Sequence, residues 1–138
     1  MKIHIVNKDE ESIEGYSKVE VENGSLDLTN YSNNECTFIL ASDLADMFRY
    51  EQLPNNLSQI RAKMRLGSTL VVGGTDARLL CRAVIDGSID IPTMNNVIYS
   101  KSSCSSLNTL EDIVSSLGLQ VITTKISGVH YEIECQRK

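Results

Sequence analysis

Strands and helices alternate along this chain, and this alternation is the feature that most limits the folds open to it. Residues 36–41 form a continuous apolar run of strand length, as expected for a strand covered on both faces of a parallel sheet. Residues 53–67 then place apolar side chains on one helical face, and residues 69–72 form a second apolar run. Because parallel neighbours need right-handed crossovers, the sequence predicts an α/β fold with a mostly parallel, three-layered sheet.

The remaining segments extend this pattern towards both ends of the chain. We expect a short helix from Ser42 or Asp43 to Phe48, and another that Thr75 and Asp76 would cap. Two N-terminal strands, a long irregular stretch, a late helix and a closing antiparallel hairpin are also predicted, at residues 2–6, 17–22, 88–106, 107–117, 119–126 and 129–136, with Ser127 and Gly128 as the hairpin turn. Ligands of such sheets bind where the strands end, so the residues that follow each strand are the candidate site.

Size and composition fit one compact domain. A chain of 138 residues, 41% hydrophobic and 22% charged, buries roughly two thirds of its unfolded surface. No apolar run approaches the ~20 residues that cross a bilayer, and the N-terminus lacks the apolar core of a signal peptide. We therefore expect a soluble, cytoplasmic protein with no membrane partner.

Charge and cysteine spacing exclude several classes of function. The net charge is −5 and no window is strongly basic, so bulk nucleic-acid binding is not expected. The four cysteines are far apart in sequence, with no CxxC pair, so we expect neither a metal site nor a redox dithiol. His4 and His130 lie in predicted strands and Cys104 in a serine-rich loop, and we expect none of them to be a ligand or a nucleophile.

Five segments, taken in order, resemble the small members of the class I S-adenosylmethionine-dependent methyltransferases. They are GYSKVEV, DLTN, FILASDLADMF, IRAKMRLGSTLVV and SLNTLEDIVSSLGLQVI, beginning at Gly15, Asp27, Phe38, Ile60 and Ser106. The likeness covers nearly the whole chain. It implies a single domain with a Rossmann-like methyltransferase fold, whose sheet ends in the antiparallel hairpin.

The resemblance also implies S-adenosylmethionine as the cofactor and assigns its contacts. In that family a loop after the first strand approaches the methionine group, an acidic residue ending the second strand holds the ribose, and the next segment contacts adenine. These roles would fall to Asn7 and the residues up to Glu11, to Glu20, and to Asp27 with Leu28. Ser42 is a further expected cofactor contact.

The first loop departs from the family pattern. Residues 7–14 contain no glycine, and Asp9, Glu10 and Glu11 are consecutive. Side chains would occupy space that the cofactor needs, and carboxylates would repel its methionine carboxylate. In favour of binding, one carboxylate could pair with the cationic sulfonium or amino group of the cofactor. We give more weight to the missing glycines and to the repulsion, and therefore expect a degenerate cofactor loop.

A second departure follows the strand at residues 36–41. The segment ASDLADM stands where the family has ASHxLEH, so that Asp43 and Met47 replace two histidines and Asp46 keeps an acidic group. Asp43 and Asp46 are the candidate catalytic residues, with Asp43 as a general base. The alternative role for Asp43 is a carboxylate that caps a helix or occupies its first turn.

Three functions follow, and residues 88–106 bear on each. This stretch is too apolar for a loop in water, so it would contact the domain, an acceptor substrate or another chain. Our leading hypothesis is a degenerate methyltransferase-like domain that acts as a binding or assembly protein. The alternatives are an active methyltransferase with an unidentified acceptor, and a structural subunit of an oligomer or larger assembly, such as a virus particle.

Overall fold

The computed structural model describes residues 1–138, with six strands and five helices. The strands are β1 (Lys2–Asn7), β2 (Ser17–Val21), β3 (Cys36–Ala41), β4 (Met64–Thr75), β5 (Leu119–Ser127) and β6 (His130–Arg137). The helices are α1 (Leu44–Met47), α2 (Leu53–Lys63), α3 (Ala77–Ile85), α4 (Ile91–Tyr99) and α5 (Leu107–Ser116), with a 3₁₀ turn at Tyr50–Gln52. None of these helices has the length and apolar composition needed to cross a bilayer.

The six strands form one sheet in the order β2-β1-β3-β4-β6-β5. Strands β1 to β4 are parallel neighbours, and β6 runs antiparallel to both β4 and β5. The predicted α/β fold, with a mostly parallel sheet and a C-terminal antiparallel hairpin, is confirmed.

Helices cover one face of this sheet. That face carries the buried side chains of alternate strand residues, such as Ile3, Ile39 and Leu70, which pack into one core with α1, α2 and α5. The opposite face, which we call the open face, carries His4, Leu40, Val71 and other side chains that keep part of their surface exposed. The expected third layer is therefore reduced to a loop, formed by the connection between β1 and β2.

The length of that connection explains why it contains no helix. Pairing of Ile3 with Ser17 and of Asn7 with Val21 requires the chain to return along the whole of β1 within residues 8–16. The distance back along four residues of β1 is about 13 Å. A helix of all nine residues would only just span this distance, so no residues would remain for the two chain reversals that the connection needs. The returning chain crosses the open face, where the Ile13 N–H donates to Nδ1 of His4 at 3.2 Å.

Three features differ from the sequence prediction. The segment 88–106, predicted to be irregular, contains α4, because Asp90 caps the helix by accepting from the Thr93 N–H and Pro92 occupies its first turn. Strand β4 begins at Met64, directly after α2, instead of at residue 69. The hairpin turn is also shifted by one residue, since Ser127 pairs with His130.

Gly73 and Gly74 allow β4 to lie against its neighbours at the carboxyl edge of the sheet. A Cβ on Gly73 would lie 2.1 Å from the Tyr131 carbonyl oxygen and 2.8 Å from that of Ser42. A Cβ on Gly74 would lie 2.8 Å from Cβ of Ala45 in α1. Only residues without a side chain permit this approach.

We predict that Gly73→Ala destabilises the protein by about 3 kcal/mol or more, because backbone atoms of β6 must move to admit the methyl group. Ser68→Ala is the matched control in the same strand, since the buried Ser68 hydroxyl has no hydrogen-bond partner. Urea denaturation of both variants measures the difference. Equal stability of the two variants would contradict the close approach.

We also predict that His4 makes stability fall as the pH drops. Burial lowers the pKa of His4 below its ordinary value of 6.5, against smaller opposing effects of Glu10 and Asp43. As the pH falls, His4 is therefore protonated first in the unfolded chain. The contribution of neutral His4 to the free energy of unfolding is fully present above about pH 6.5 and is lost as the pH falls below this value. Protonation also removes the Nδ1 acceptor used by Ile13.

The test compares wild type with His4→Asn, which keeps an acceptor atom and does not titrate. Denaturation at a series of values between about pH 7 and pH 5 should give a flatter profile for the variant. Identical slopes would contradict the assignment, and because the two proteins differ only at residue 4 the other ionisable groups are common to both.

Candidate functional site

The carboxyl ends of the parallel strands meet at one edge of the sheet, where the sequence places the site. Asn7 ends β1 beside Val21 of β2, and Ala41 ends β3 beside Val72 of β4. The residues that follow these strands therefore share one edge, as expected for a site in an open α/β sheet.

The loop after β1 closes on itself. The Asn7 N–H donates to Oε2 of Glu10 at 3.3 Å, and the Glu10 N–H donates to the Asn7 carbonyl at 3.2 Å. Asp9, between them, has a φ of 67°, a left-handed conformation that a residue other than glycine adopts rarely. The backbone N–H of Asn7 is thus already bonded within the chain, and no helix follows to offer further free N–H groups.

The acidic residue at the end of β2 is Glu22, not the predicted Glu20. Glu20 lies within the strand, and its Oε1 is 2.7 Å from Nζ of Lys18, an interaction that raises the pKa of Lys18. Glu22 follows Val21 and lies 3.5 Å from Nζ of Lys8 in the first loop. The Asn23–Gly24 turn directly after Glu22 is the sequence signal that could have located the strand end here.

Asp27 and Leu28 are both engaged within the chain. Oδ1 of Asp27 accepts from the N–H and the hydroxyl of Thr29 at 2.9 and 2.7 Å, and these bonds lower the pKa of Asp27. The Leu28 side chain is buried in the core. Asp27 therefore stabilises a local turn, and Leu28 contributes to packing.

A polar cluster spans the edge between β3 and β6. Nε2 of His130 lies 2.9 Å from Oδ1 of Asp43 and 3.0 Å from the Ser42 carbonyl oxygen. The Ser42 hydroxyl donates to Oε2 of Glu132 at 3.0 Å. Asp43 precedes α1 but its side chain makes no capping bond, so it is free to orient the imidazole. The sequence did not link His130 to Asp43, because they are 87 positions apart.

Asp46 supports the structure instead of facing a ligand. Its side chain is buried, with Oδ1 accepting from the Thr75 N–H at 2.8 Å and Oδ2 from the Thr75 hydroxyl at 3.1 Å. Lys101 lies 3.4 Å away and balances its charge. These bonds tie α1 to the end of β4 and to the segment after α4, and they leave Asp46 little capacity to move a proton.

A cleft of about 420 Å³ opens beside this edge, between the β2 turn and the segment that follows β3. Its lining contains no carboxylate and one cation, Arg49. The lining residues are Asn23, Gly24, Met47, Arg49, Gln52 and Ser102. Such a lining does not complement a cationic sulfonium.

The described residues at the positions that hold S-adenosylmethionine in the family thus depart from the family pattern. The Asn7 N–H is occupied by Glu10, and Glu22 is paired with Lys8. Cys104 is no alternative reactive centre, since burial raises the pKa of its thiol. No group of three or more acidic, histidine or cysteine side chains is arranged to hold a metal ion.

No family model matches the sequence, and no curated protein matches it significantly. Solved structures do share its fold. A methyltransferase that depends on S-adenosylmethionine, from Archaeoglobus fulgidus, is 16% identical with a TM-score of 0.59, over 89% of this chain and 68% of that one. One from Thermotoga maritima is 16% identical with a TM-score of 0.61, over 90% and 65% of the two chains.

A third similar structure is a methyltransferase complex with the Trm112 methyltransferase activator from Haloferax volcanii. It is 8% identical with a TM-score of 0.60, and the match covers 91% of this chain and 63% of that one. This chain thus spans about two thirds of the length of these three proteins. Together with the strand order and the antiparallel β6, these similarities show that the chain has the fold of the class I S-adenosylmethionine-dependent methyltransferases.

Proposed function

We propose that this chain is a single, degenerate methyltransferase-like domain that acts as a binding or assembly protein instead of an enzyme. The observation that carries the proposal is the closed first loop, in which Glu10 bonds Asn7 at the position where the family's cofactor loop needs free backbone. The four cysteines are free thiols, which supports a cytoplasmic location.

Electrostatics at the edge supports the same conclusion. Glu22, the acidic side chain best placed for a ribose, is paired with Lys8, and the adjacent cleft presents Arg49. The ribose of the ligand would have to displace the Lys8–Glu22 pair, and its cationic sulfonium and amino groups would have to approach Arg49. Neither change is compensated by an unpaired carboxylate in the lining of that cleft.

The binding surface that we assign lies within residues 88–106. Helix α4 has no buried residue, and Ile91 and Tyr99 at its ends are 57% and 82% exposed. Exposed apolar side chains at this density are typical of a protein contact. The structurally similar methyltransferase in complex with the Haloferax volcanii Trm112 activator is consistent with partner binding by this fold.

Isothermal titration with S-adenosylmethionine and with S-adenosylhomocysteine tests the proposal. We expect no heat of binding from either ligand, because Glu10 bonds the Asn7 N–H and the consecutive carboxylates of Asp9, Glu10 and Glu11 would repel the methionine carboxylate. A saturable isotherm with a micromolar Kd would contradict the degenerate assignment. A thermal melt of the same sample, with a single cooperative transition, shows that a negative titration comes from folded protein.

An active methyltransferase is the second candidate, and the Asp43–His130 pair favours it. The pair lies at the carboxyl edge, and Asp43 holds one imidazole nitrogen at 2.9 Å. A histidine oriented in this way would accept a proton from an acceptor nucleophile. Asp43 would then be a positioning residue that acts through His130.

If this alternative holds, Glu22→Gln should weaken ligand binding about tenfold or more, the loss expected for a charged hydrogen-bond partner. Asp112→Asn, at an exposed carboxylate on α5, is the matched control and should leave affinity unchanged. His130→Asn should abolish turnover while ligand affinity is retained. Absence of binding in wild type and in both carboxylate variants would exclude the alternative.

A further inference from the structure

We propose that the surface formed by α3 and α4 binds a second copy of this chain. We call it the α3–α4 surface, and its apolar members are Ile85, Ile89, Ile91, Met94, Ile98 and Tyr99. The inference rests on the proposed binding function and identifies the partner. It is argued from burial, shape and charge.

Helix α4 has little to pack against within its own chain. None of its residues is buried, its main neighbour is α3, and α3 itself buries only Leu80. Ile85 at the end of α3 is 86% exposed. Helices that bury so little surface stabilise the fold little. They leave large apolar side chains in water unless another molecule covers them.

A groove lies beside these helices, between α3 and the turn of the C-terminal hairpin. Its volume is about 460 Å³, and its apolar lining includes Leu79, Ala83, Ile89 and Val129. The exposed Tyr99 ring is of the type that anchors protein interfaces by filling such grooves. In a twofold contact each copy would offer both an apolar helix and a groove.

The charges of the surface favour a second copy as the occupant. The whole chain carries a net charge of −5, so two copies repel each other over most of their surfaces. Helix α4 has no charged side chain. Arg82 lies in the last turn of α3 and Asp86 follows the helix. Hydrogen bonds from Ser88, and to a smaller extent Arg82, lower the pKa of Asp86, but neither Arg82 nor Asp86 forms a direct ion pair within the chain.

A twofold axis that crosses α3 between Arg82 and Asp86 would place Arg82 of one copy near Asp86 of the other, twice. Both of the hydrogen bonds that Asp86 accepts from Ser88 use Oδ1, so Oδ2 is available to such a contact. The surface is thus complementary to itself in charge as well as apolar, which a twofold interface requires.

Sedimentation equilibrium at increasing protein concentration tests the inference with the full chain. We expect wild type to approach twice the monomer mass of 15.3 kDa. The Ile91→Asp and Tyr99→Ser variants should each weaken dimerisation about 30-fold, the cost of removing an interface anchor. Leu66→Asp, at an apolar residue 69% exposed elsewhere on the protein, is the matched control and should dimerise as wild type does.

Charge reversal tests the twofold contact itself. Arg82→Asp should weaken the dimer by opposing two carboxylates, and Arg82→Asp combined with Asp86→Arg should restore it. Arg82 is exposed, so the circular dichroism melt of Arg82→Asp should match wild type. The double variant also loses the two hydrogen bonds that Asp86 accepts from Ser88, so its melt is needed to show that it is still folded. Failure of the double variant to recover would contradict the twofold pairing.

A wild type that stays monomeric at every concentration would overturn the inference, as would a dimer that survives both α4 variants. Binding of an unrelated protein to a monomeric chain would do the same. A different result would contradict the proposed function. If the dimer forms and also binds S-adenosylmethionine, the proposal of a degenerate domain is wrong, while the proposed dimer surface is still supported.

Discussion

The parallel pairing of β1 with β2 through a nine-residue connection is the constraint on which the rest of the structure depends. Residues 8–16 must carry the chain from one edge of the sheet to the other, so they cross the open face as an extended loop and cannot form a helix. The loop is held there by the Ile13–His4 hydrogen bond and by the Tyr16 ring, which packs edge-on against Phe38. Helices α1, α2 and α5 pack on the other face, where the core forms.

The same constraint decides what the carboxyl edge can do. A chain that turns back directly after β1 brings Glu10 onto Asn7 and Lys8 onto Glu22, so the groups that would meet a cofactor meet each other. At the end of β4, Gly73 and Gly74 allow α1 and β6 to pack closely against this strand. This close packing places His130 of β6 beside Asp43, which precedes α1. Packing thus assembles a polar cluster next to an edge where the Asn7 N–H and the Glu22 carboxylate already have partners within the chain.

The sequence predicted the fold well, because its signals were local. The apolar run of β3 and the helices α2, α3 and α5 were located closely, and the order of elements was sufficient for the methyltransferase fold. Helix α4 was missed because its apolar residues lack a buried face, although Asp90 and Pro92 were valid signals for its start. The partners of Asp46 and His130 could not be predicted, since contacts over 29 and 87 positions depend on how the elements pack.

The central claim is that the first loop occupies the cofactor position with its own hydrogen bonds. Amide NMR spectra recorded during a titration with S-adenosylhomocysteine test it at the atoms concerned. The account predicts that the signals of Asn7, Glu10 and Gly24 do not move, because the Asn7 N–H stays bonded to Glu10. Saturable shifts of these signals, with loss of the Asn7 hydrogen bond, would contradict it.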